Sequence, residues 1–187
     1  MASQLINAHC PFDYAIFKDS VCTIGVYDGV HIGHRKIIAD TIDRAKKLGK
    51  RSIIITFSID PDEIYHPKRL EKLMSNDERL KALTKLGADS VAVMPFDEEF
   101  GDLTALQFLA KIFRKFPPRE VHVGIDFGFG NKAAGNVETM RQWGENYGMV
   151  VVGHDLLEVG GKPVTSTRIR LLLSDNKIEE AKSLLGC

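Results

Sequence analysis

Gly25-Val26-Tyr27-Asp28-Gly29-Val30-His31-Ile32-Gly33-His34 stands between an apolar run, Val21-Cys22-Thr23-Ile24, and a segment with helical periodicity. Small residues at such a junction let a strand turn sharply into a helix, whose first N–H groups have no intrahelical partner. Those groups, at the positive end of the helix dipole, form an anion site suited to phosphate. His31 and His34 lie three positions apart around Gly33, so both imidazoles can face one ligand and donate to an anionic oxygen. For an isolated His-x-x-His the other readings are an ordinary strand–helix turn or stray metal ligands. Here the glycines and the strand–helix context favour phosphate.

The same periodicities extend outward. Ile37, Ile38, Thr41, Ile42, Ala45 and Leu48 recur at helical spacing, and Lys46, Lys47 and Gly49 sit where cations and glycine end a helix. Ser52–Phe57 is a continuous apolar run rich in β-branched residues, expected of a strand buried on both faces of a parallel sheet. Ser75 with Glu78, and Thr104 with Gln107, have capping-box spacing. The first precedes a helix with Leu80, Leu83 and Leu86 that stops at Gly87. The second precedes one with Phe108, Ile112 and Phe113 that Pro117-Pro118 ends. Further strands are expected at Ser90–Met94, 120–123 and 149–152, with Asn136 capping a helix to about Tyr147. Residues 58–73, with Pro61, Pro67 and several charges, read as a long irregular loop on the histidines' edge. The chain to Ser20 is a mixed lead-in with room for one edge strand. Gly160-Gly161 marks a turn, and short helices over 169–173 and 178–185 follow. Strands alternating with helices predict an α/β, doubly wound, mostly parallel sheet with right-handed connections. Its ligand is expected beyond the strands' carboxyl ends, at a switch in strand order.

The 187 residues fit one domain over 1–187, with 25 Lys and Arg balancing 25 Asp and Glu. Zero formal charge supplies no field to draw the chain to nucleic acid or to an anionic membrane. Cys10, Cys22 and Cys187 are odd in number and widely spaced, which suits reduced thiols in a cytoplasmic protein better than disulfides or zinc. No stretch approaches membrane-spanning length.

Two more stretches carry chemistry. Thr165-Ser166-Thr167-Arg168-Ile169-Arg170 places hydroxyls and guanidiniums at a helix start, either to hold phosphate or as an ordinary cap with solvated arginines. Gly124-Ile125-Asp126-Phe127-Gly128-Phe129-Gly130 follows the fourth strand and offers a carboxylate and two aromatic faces, or alternatively core packing at a turn. In their order, the three stretches resemble the FMN adenylyltransferase (FAD synthetase) domain of the prokaryotic riboflavin kinase/FAD synthetase family, over about residues 21–186. His-x-Gly-His is the signature of its nucleotidyltransferase superfamily.

The resemblance implies a Rossmann-like fold and transfer of the adenylyl group of ATP to FMN, giving FAD and pyrophosphate, with Mg2+ accompanying ATP. It implies that His31, His34 and Arg170 act on the phosphates, and that Gly25, Tyr27, Asp28, Gly33, Asp126, Ser166 and Thr167 hold ATP. Phe57, Phe127 and Phe129 would flank the flavin, Arg168 would be peripheral, and the metal ligands stay unassigned. Two stretches depart from the family pattern. Phe57-Ser58-Ile59-Asp60-Pro61 replaces Phe-x-Pro-His-Pro, and Asn131-Lys132-Ala133-Ala134-Gly135-Asn136 replaces Gly-x-Arg-x-Gly-Asp. Both fall on the acceptor side. The alternatives are therefore another phosphorylated acceptor, such as phosphopantetheine, NMN or glycerol phosphate, or a flavin- or nucleotide-binding protein without turnover. Bifunctional members continue beyond Gly186-Cys187 into a riboflavin kinase domain, so the expected supplier of FMN is a separate riboflavin kinase or a further portion of the protein beyond these residues.

Overall fold

The computed structural model describes residues 4–6, 13–65 and 71–186. Cys10, Pro11, Pro67 and Cys187 lie outside them. The first half of the chain forms β1 (Gln4–Ile6), β2 (Val21–Ile24), α1 (Ile32–Leu48), β3 (Ser52–Phe57), α2 (Pro61–Tyr65), α3 (Asn76–Thr84) and β4 (Ser90–Met94). The second half forms α4 (Glu98–Gly101), α5 (Ala105–Phe113), β5 (Glu120–Gly124), α6 (Val137–Glu145), β6 (Val150–His154), the hairpin strands β7 (Glu158–Val159) and β8 (Lys162–Pro163), then α7 (Ser166–Ser174) and α8 (Ile178–Leu185).

The main sheet has the order β1-β4-β3-β2-β5-β6, and every ladder in it is parallel. From β2 the chain winds one way to β3 and β4, then returns to place β5 on the other side of β2 and continues to β6. This reversal opens a crevice at the carboxyl ends of β2 and β5, where ligands bind in doubly wound sheets. Side chains alternate across the sheet as a strand's period of two requires. Ile53, Ile55, Phe57, Cys22 and Ile24 join Leu109, Ile112, Met140 and Trp143 of α5 and α6 on one face. Ile54, Val91 and Val93 join Ile38 and Ile42 of α1 and Leu83 of α3 on the other. The Cys22 thiol is buried there, and that burial pushes its pKa up to about 12.

Local signals act as expected at several ends. Gly49 closes α1 in the left-handed conformation, both capping boxes form, and Asn136 caps α6 by accepting from the Thr139 N–H. Three expectations need correction. Residues 58–73 are not wholly irregular, because Pro61 opens α2 with Asp62 and Glu63 in its first turn. Strand β6 runs to His154, two residues beyond the expected end, because its pairing with β5 continues through Gly153 and His154. Helix α6 ends at Glu145 rather than near Tyr147. Among the described residues no helix is long and apolar enough to cross a membrane.

Arg79 of α3 fixes the carboxyl ends of β2 and β3 from beneath. It is 2% exposed and donates to the Val26 carbonyl at 2.7 Å, Thr56 Oγ1 at 2.6 Å, the Phe57 carbonyl at 2.8 Å and Asn76 Oδ1 at 3.1 Å. Buried acceptors left without a donor cost about 1–3 kcal/mol each. Arg79→Leu is therefore expected to lower unfolding free energy by about 3 kcal/mol or more in urea denaturation. A loss under about 1 kcal/mol would show that water replaces the guanidinium at no cost.

Candidate active site

The turn from β2 into α1 holds three residues at positive φ: Tyr27 at 61°, Gly29 at 79° and Val30 at 40°. For a β-branched residue such as Val30 this conformation costs about 1–3 kcal/mol, and strain of this kind gathers at functional sites. His31 then caps α1, its Nδ1 accepting from the His34 N–H at 3.3 Å. Because Nδ1 accepts, the proton of a neutral His31 ring lies on Nε2, leaving that N–H free to donate. The two imidazoles stack with centroids 3.5 Å apart, and the edge of Tyr27 meets His34 at 5.2 Å. Burial pushes the His31 pKa down to about 4 and that of His34 well below its ordinary value, so both rings are neutral at pH 7. Two glycines leave room for these rings. A Cβ at Gly33 would stand 3.2 Å from the His31 ring, and one at Gly25 would stand 2.9 Å from the ring of Tyr27.

These residues form one wall of a cavity of about 530 Å³ beyond the ends of β2 and β5. The head of α7 forms another. Thr165 caps it by accepting from the Arg168 N–H at 3.1 Å, the Ser166 hydroxyl donates to the Asp28 carbonyl at 3.0 Å, and Thr167 lines the cavity beside them. Asp126 comes in from the loop after β5. Gly25, Tyr27, His31, Gly33, His34, Asp126, Ser166 and Thr167 are thus gathered at one place, where two helix amino termini and a pair of imidazoles form a set of donors suited to anionic oxygen.

Asp28 and Arg170 are not among the residues lining that cavity. Arg170 donates to Asp28 Oδ2 at 2.6 Å and to the Glu71 carbonyl at 2.6 Å, and Asp28 also accepts from the Leu73 N–H at 3.2 Å. With these bonds Arg170 forms a clasp that joins the β2–α1 turn, the 71–73 segment and α7. Asp28 is likewise engaged by the protein rather than by the cavity. Arg168 is peripheral, donating to the carbonyls of Val159, Lys162 and Pro163 in the β7–β8 hairpin.

A second cavity of about 710 Å³ adjoins the first, and Val26, Phe127 and Gly128 line both. Phe57, Phe127 and Phe129 line it as expected, joined by Phe96, Phe100 and Phe108. Their rings form a connected set, with Phe57 5.6 Å from Phe96, Phe108 5.2 Å from Phe129, and Phe127 5.7 Å from Phe129. The 131–133 turn closes one side, with Lys132 at φ 54° and Ala133 at φ 52°. Helix α2 contributes Pro61, Asp62 and Tyr65.

Sequence reasoning missed Lys36 and His154 in the first cavity and Phe96 and Phe100 in the second. Phe96 and His154 stand just after β4 and at the end of β6, so their position at a carboxyl strand end was a usable signal. Lys36 and Phe100 carried none, since each sits on its own helix as an ordinary surface or core residue.

Fold and site together define a doubly wound α/β domain with an anion-receiving cavity at its topological switch. The chain belongs to the FAD synthetase family, which it matches over residues 14–168. A bifunctional riboflavin kinase/FMN adenylyltransferase from Buchnera aphidicola subsp. Schizaphis graminum is 32% identical over 174 residues, covering 91% of this chain and 56% of the relative. One of the same description from Escherichia coli (strain K12) is 32% identical over 171 residues, covering 89% and 54%. The chain therefore spans little more than half the length of these relatives. A relative from Geobacillus thermodenitrificans is 31% identical over 167 residues, covering 89% of each. Among solved structures, that of a macrolide-efflux protein from Streptococcus pneumoniae superposes with a TM-score of 0.76 at 25% identity, covering 100% of this chain and 60% of the other. A pantothenate synthetase from Thermus thermophilus shares the fold, with a TM-score of 0.53 at 16% identity, covering 88% and 65%.

Capping and anion binding by His31 are separable. His31→Asn keeps a good cap and is expected to hold the thermal midpoint close to that of the unaltered protein, whereas His31→Ala loses about 1 kcal/mol. The depressed pKa gives a second signature. Between about pH 6.5 and pH 4 the unfolded state binds the proton that folded His31 refuses, so stability is full above that window and falls as pH drops through it. His31→Asn should remove up to about 3 kcal/mol of this acid loss in denaturation series at stepped pH. An unchanged acid limb would show that His31 is not buried neutral.

Proposed function

We propose that the chain transfers the adenylyl group of ATP to FMN, giving FAD and pyrophosphate. The observation that supports this best is the pair of adjoining cavities. One presents two helix amino termini and neutral imidazole donors, suited to a triphosphate, and the other presents a set of phenylalanine rings, suited to a flat aromatic acceptor. Their shared wall at Val26, Phe127 and Gly128 supports a reading in which an acceptor's phosphate lies next to the donor's. The relatives from Buchnera aphidicola and Escherichia coli, named as bifunctional riboflavin kinase/FMN adenylyltransferases, agree with this reading.

In this mechanism a phosphate oxygen of FMN forms a bond to the α-phosphorus of ATP, and the bond from that phosphorus to the bridging oxygen breaks, releasing pyrophosphate. The protein supplies position and charge stabilisation rather than a covalent intermediate. His31 Nε2–H and His34 donate to oxygens around the reacting phosphorus. Ser166, Thr167 and the head of α7 hold the phosphates from the other side, and Asp126 orients the ribose or the phosphates. Arg170 acts through Asp28 by keeping α7 in place. Among the described residues no three His, Cys, Asp or Glu side chains converge on a metal. That sparse set, with Asp126 and Asp155 at the cavity, fits Mg2+ carried by the phosphates and water. When bound, Mg2+ would neutralise charge on the phosphates. FMN would be supplied by a riboflavin kinase, and the reaction belongs in the cytoplasm.

The test is incubation of the protein with ATP, Mg2+ and FMN, followed by chromatography for FAD and measurement of pyrophosphate. One FAD per pyrophosphate is expected. Losing a preorganised donor costs about 100- to 1,000-fold in rate, which is the loss expected of His34→Ala. FMN bound without FAD formed would establish a binding protein without turnover. Preferential use of another phosphorylated acceptor would overturn the flavin assignment.

A further inference from the structure

Buried His122 and half-buried His154 form a pair that the mechanism above does not use. His122 Nδ1 and His154 Nε2 are 2.8 Å apart, and the rings lie at 5.0 Å. Each imidazole has a carboxylate on its far side. His122 Nε2 is 3.5 Å from Glu120 Oε2, and His154 Nδ1 is 3.5 Å from Asp40 Oδ2. Both carboxylates are already paired, Glu120 with Arg44 at 2.6 and 2.8 Å, and Asp40 with Lys36 at 2.9 Å. His154 and Lys36 line the cavity assigned above to the nucleotide.

Counting protons fixes the orientation of this chain. Three gaps, from Glu120 through both imidazoles to Asp40, each call for a proton, and two neutral imidazoles carry two. One gap must go without, and it falls where water can compensate. Side chains at the Glu120 end are 5% and 5% exposed, and those at the Asp40 end are 17% for His154 and 38% for Asp40. On this count His122 Nε2–H faces Glu120 at 3.5 Å, outside hydrogen-bond geometry, His122 Nδ1 accepts from His154 Nε2–H, and His154 Nδ1 is left as the bare acceptor. Burial lowers the pKa of both histidines, which keeps that lone pair available at neutral pH.

Two helix heads fix where phosphate lies, so the nucleobase takes the part of the cavity walled by apolar Ile37, Leu156 and Leu157. His154 belongs to that wall. We propose that His154 is a specificity-determining residue that accepts a hydrogen bond from the exocyclic amine of the donor nucleobase, with His122 as the positioning residue that fixes its tautomer. This rests on the donor half of the function proposed above and is independent of the acceptor. The ligand class is an amino-bearing base, adenine in ATP, as against a 6-oxo base, whose oxygen would face the lone pair.

Calorimetric titration with ATP, ITP and purine riboside triphosphate, without FMN, tests this. Inorganic tripolyphosphate reports the phosphate subsite. The unaltered protein should bind ATP about tenfold or more tighter than the other two. His154→Leu should bring the three nucleotides within about twofold of one another while leaving tripolyphosphate unchanged. His122→Gln, whose amide oxygen can still accept from His154, should keep the preference, and His122→Leu should reduce it. Equal binding of ATP and ITP by the unaltered protein, or an undiminished preference in His154→Leu, overturns the proposal. Failure to bind any of the nucleotides overturns it together with the donor-site reading. A preference lost in His154→Leu, with no FAD formed by the unaltered protein, upholds it and overturns the adenylyl transfer to FMN alone.

Discussion

The head of α1 is buried against the edge of a parallel sheet, where an N–H group left without a partner costs about 1–3 kcal/mol, and a neutral imidazole meets that cost. Serine or aspartate would cap as well, but each would spend its oxygen on the helix. An imidazole has a second nitrogen. His31 accepts from the His34 N–H with Nδ1 and keeps Nε2–H for a ligand, so one ring closes the helix and extends its field of donors. The stacking of His34 on it and the missing Cβ at Gly33 follow from fitting two rings around a single helical turn. Strain at Val30 and Tyr27 is the cost of bringing the strand end into this position.

The remaining parts of the site depend on where that turn stands. Arg79 ties the Val26 carbonyl to the ends of β2 and β3, and Val26 belongs to both cavities. The Asp28–Arg170 clasp and the Ser166 hydroxyl on the Asp28 carbonyl bring α7 against the same turn, so the second helix head is positioned by the first. Two helix heads distant in sequence thus converge on one cavity, and the aromatic cavity opens beside them because Phe127 and Gly128 form the partition.

Where a signal is local, the sequence reveals it. The fully buried strands Ser52–Phe57 and Ser90–Met94 read as continuous apolar runs with exact ends, and the caps at Ser75, Thr104 and Asn136 announce their helices. Strand β6 is harder, since Gly153 and His154 lack strand character and are held by pairing with β5. The partnership of Arg170 with Asp28 spans 142 residues, and no local pattern distinguishes a guanidinium that grips phosphate from one that grips a carboxylate. The histidine pair at His122 and His154 is similar. His122 looks like an isolated strand residue and His154 like one beyond its strand until the β5–β6 register sets them side by side.

Under the proposed function ATP and FMN occupy adjoining cavities at the same time, meeting at Val26, Phe127 and Gly128. The most direct measurement is calorimetric titration of FMN into the protein saturated with Mg2+ and α,β-methylene-ATP, an analogue whose bridge cannot be cleaved. One FMN bound per chain with the analogue retained is expected. Mutually exclusive binding, in which either ligand expels the other, would contradict it.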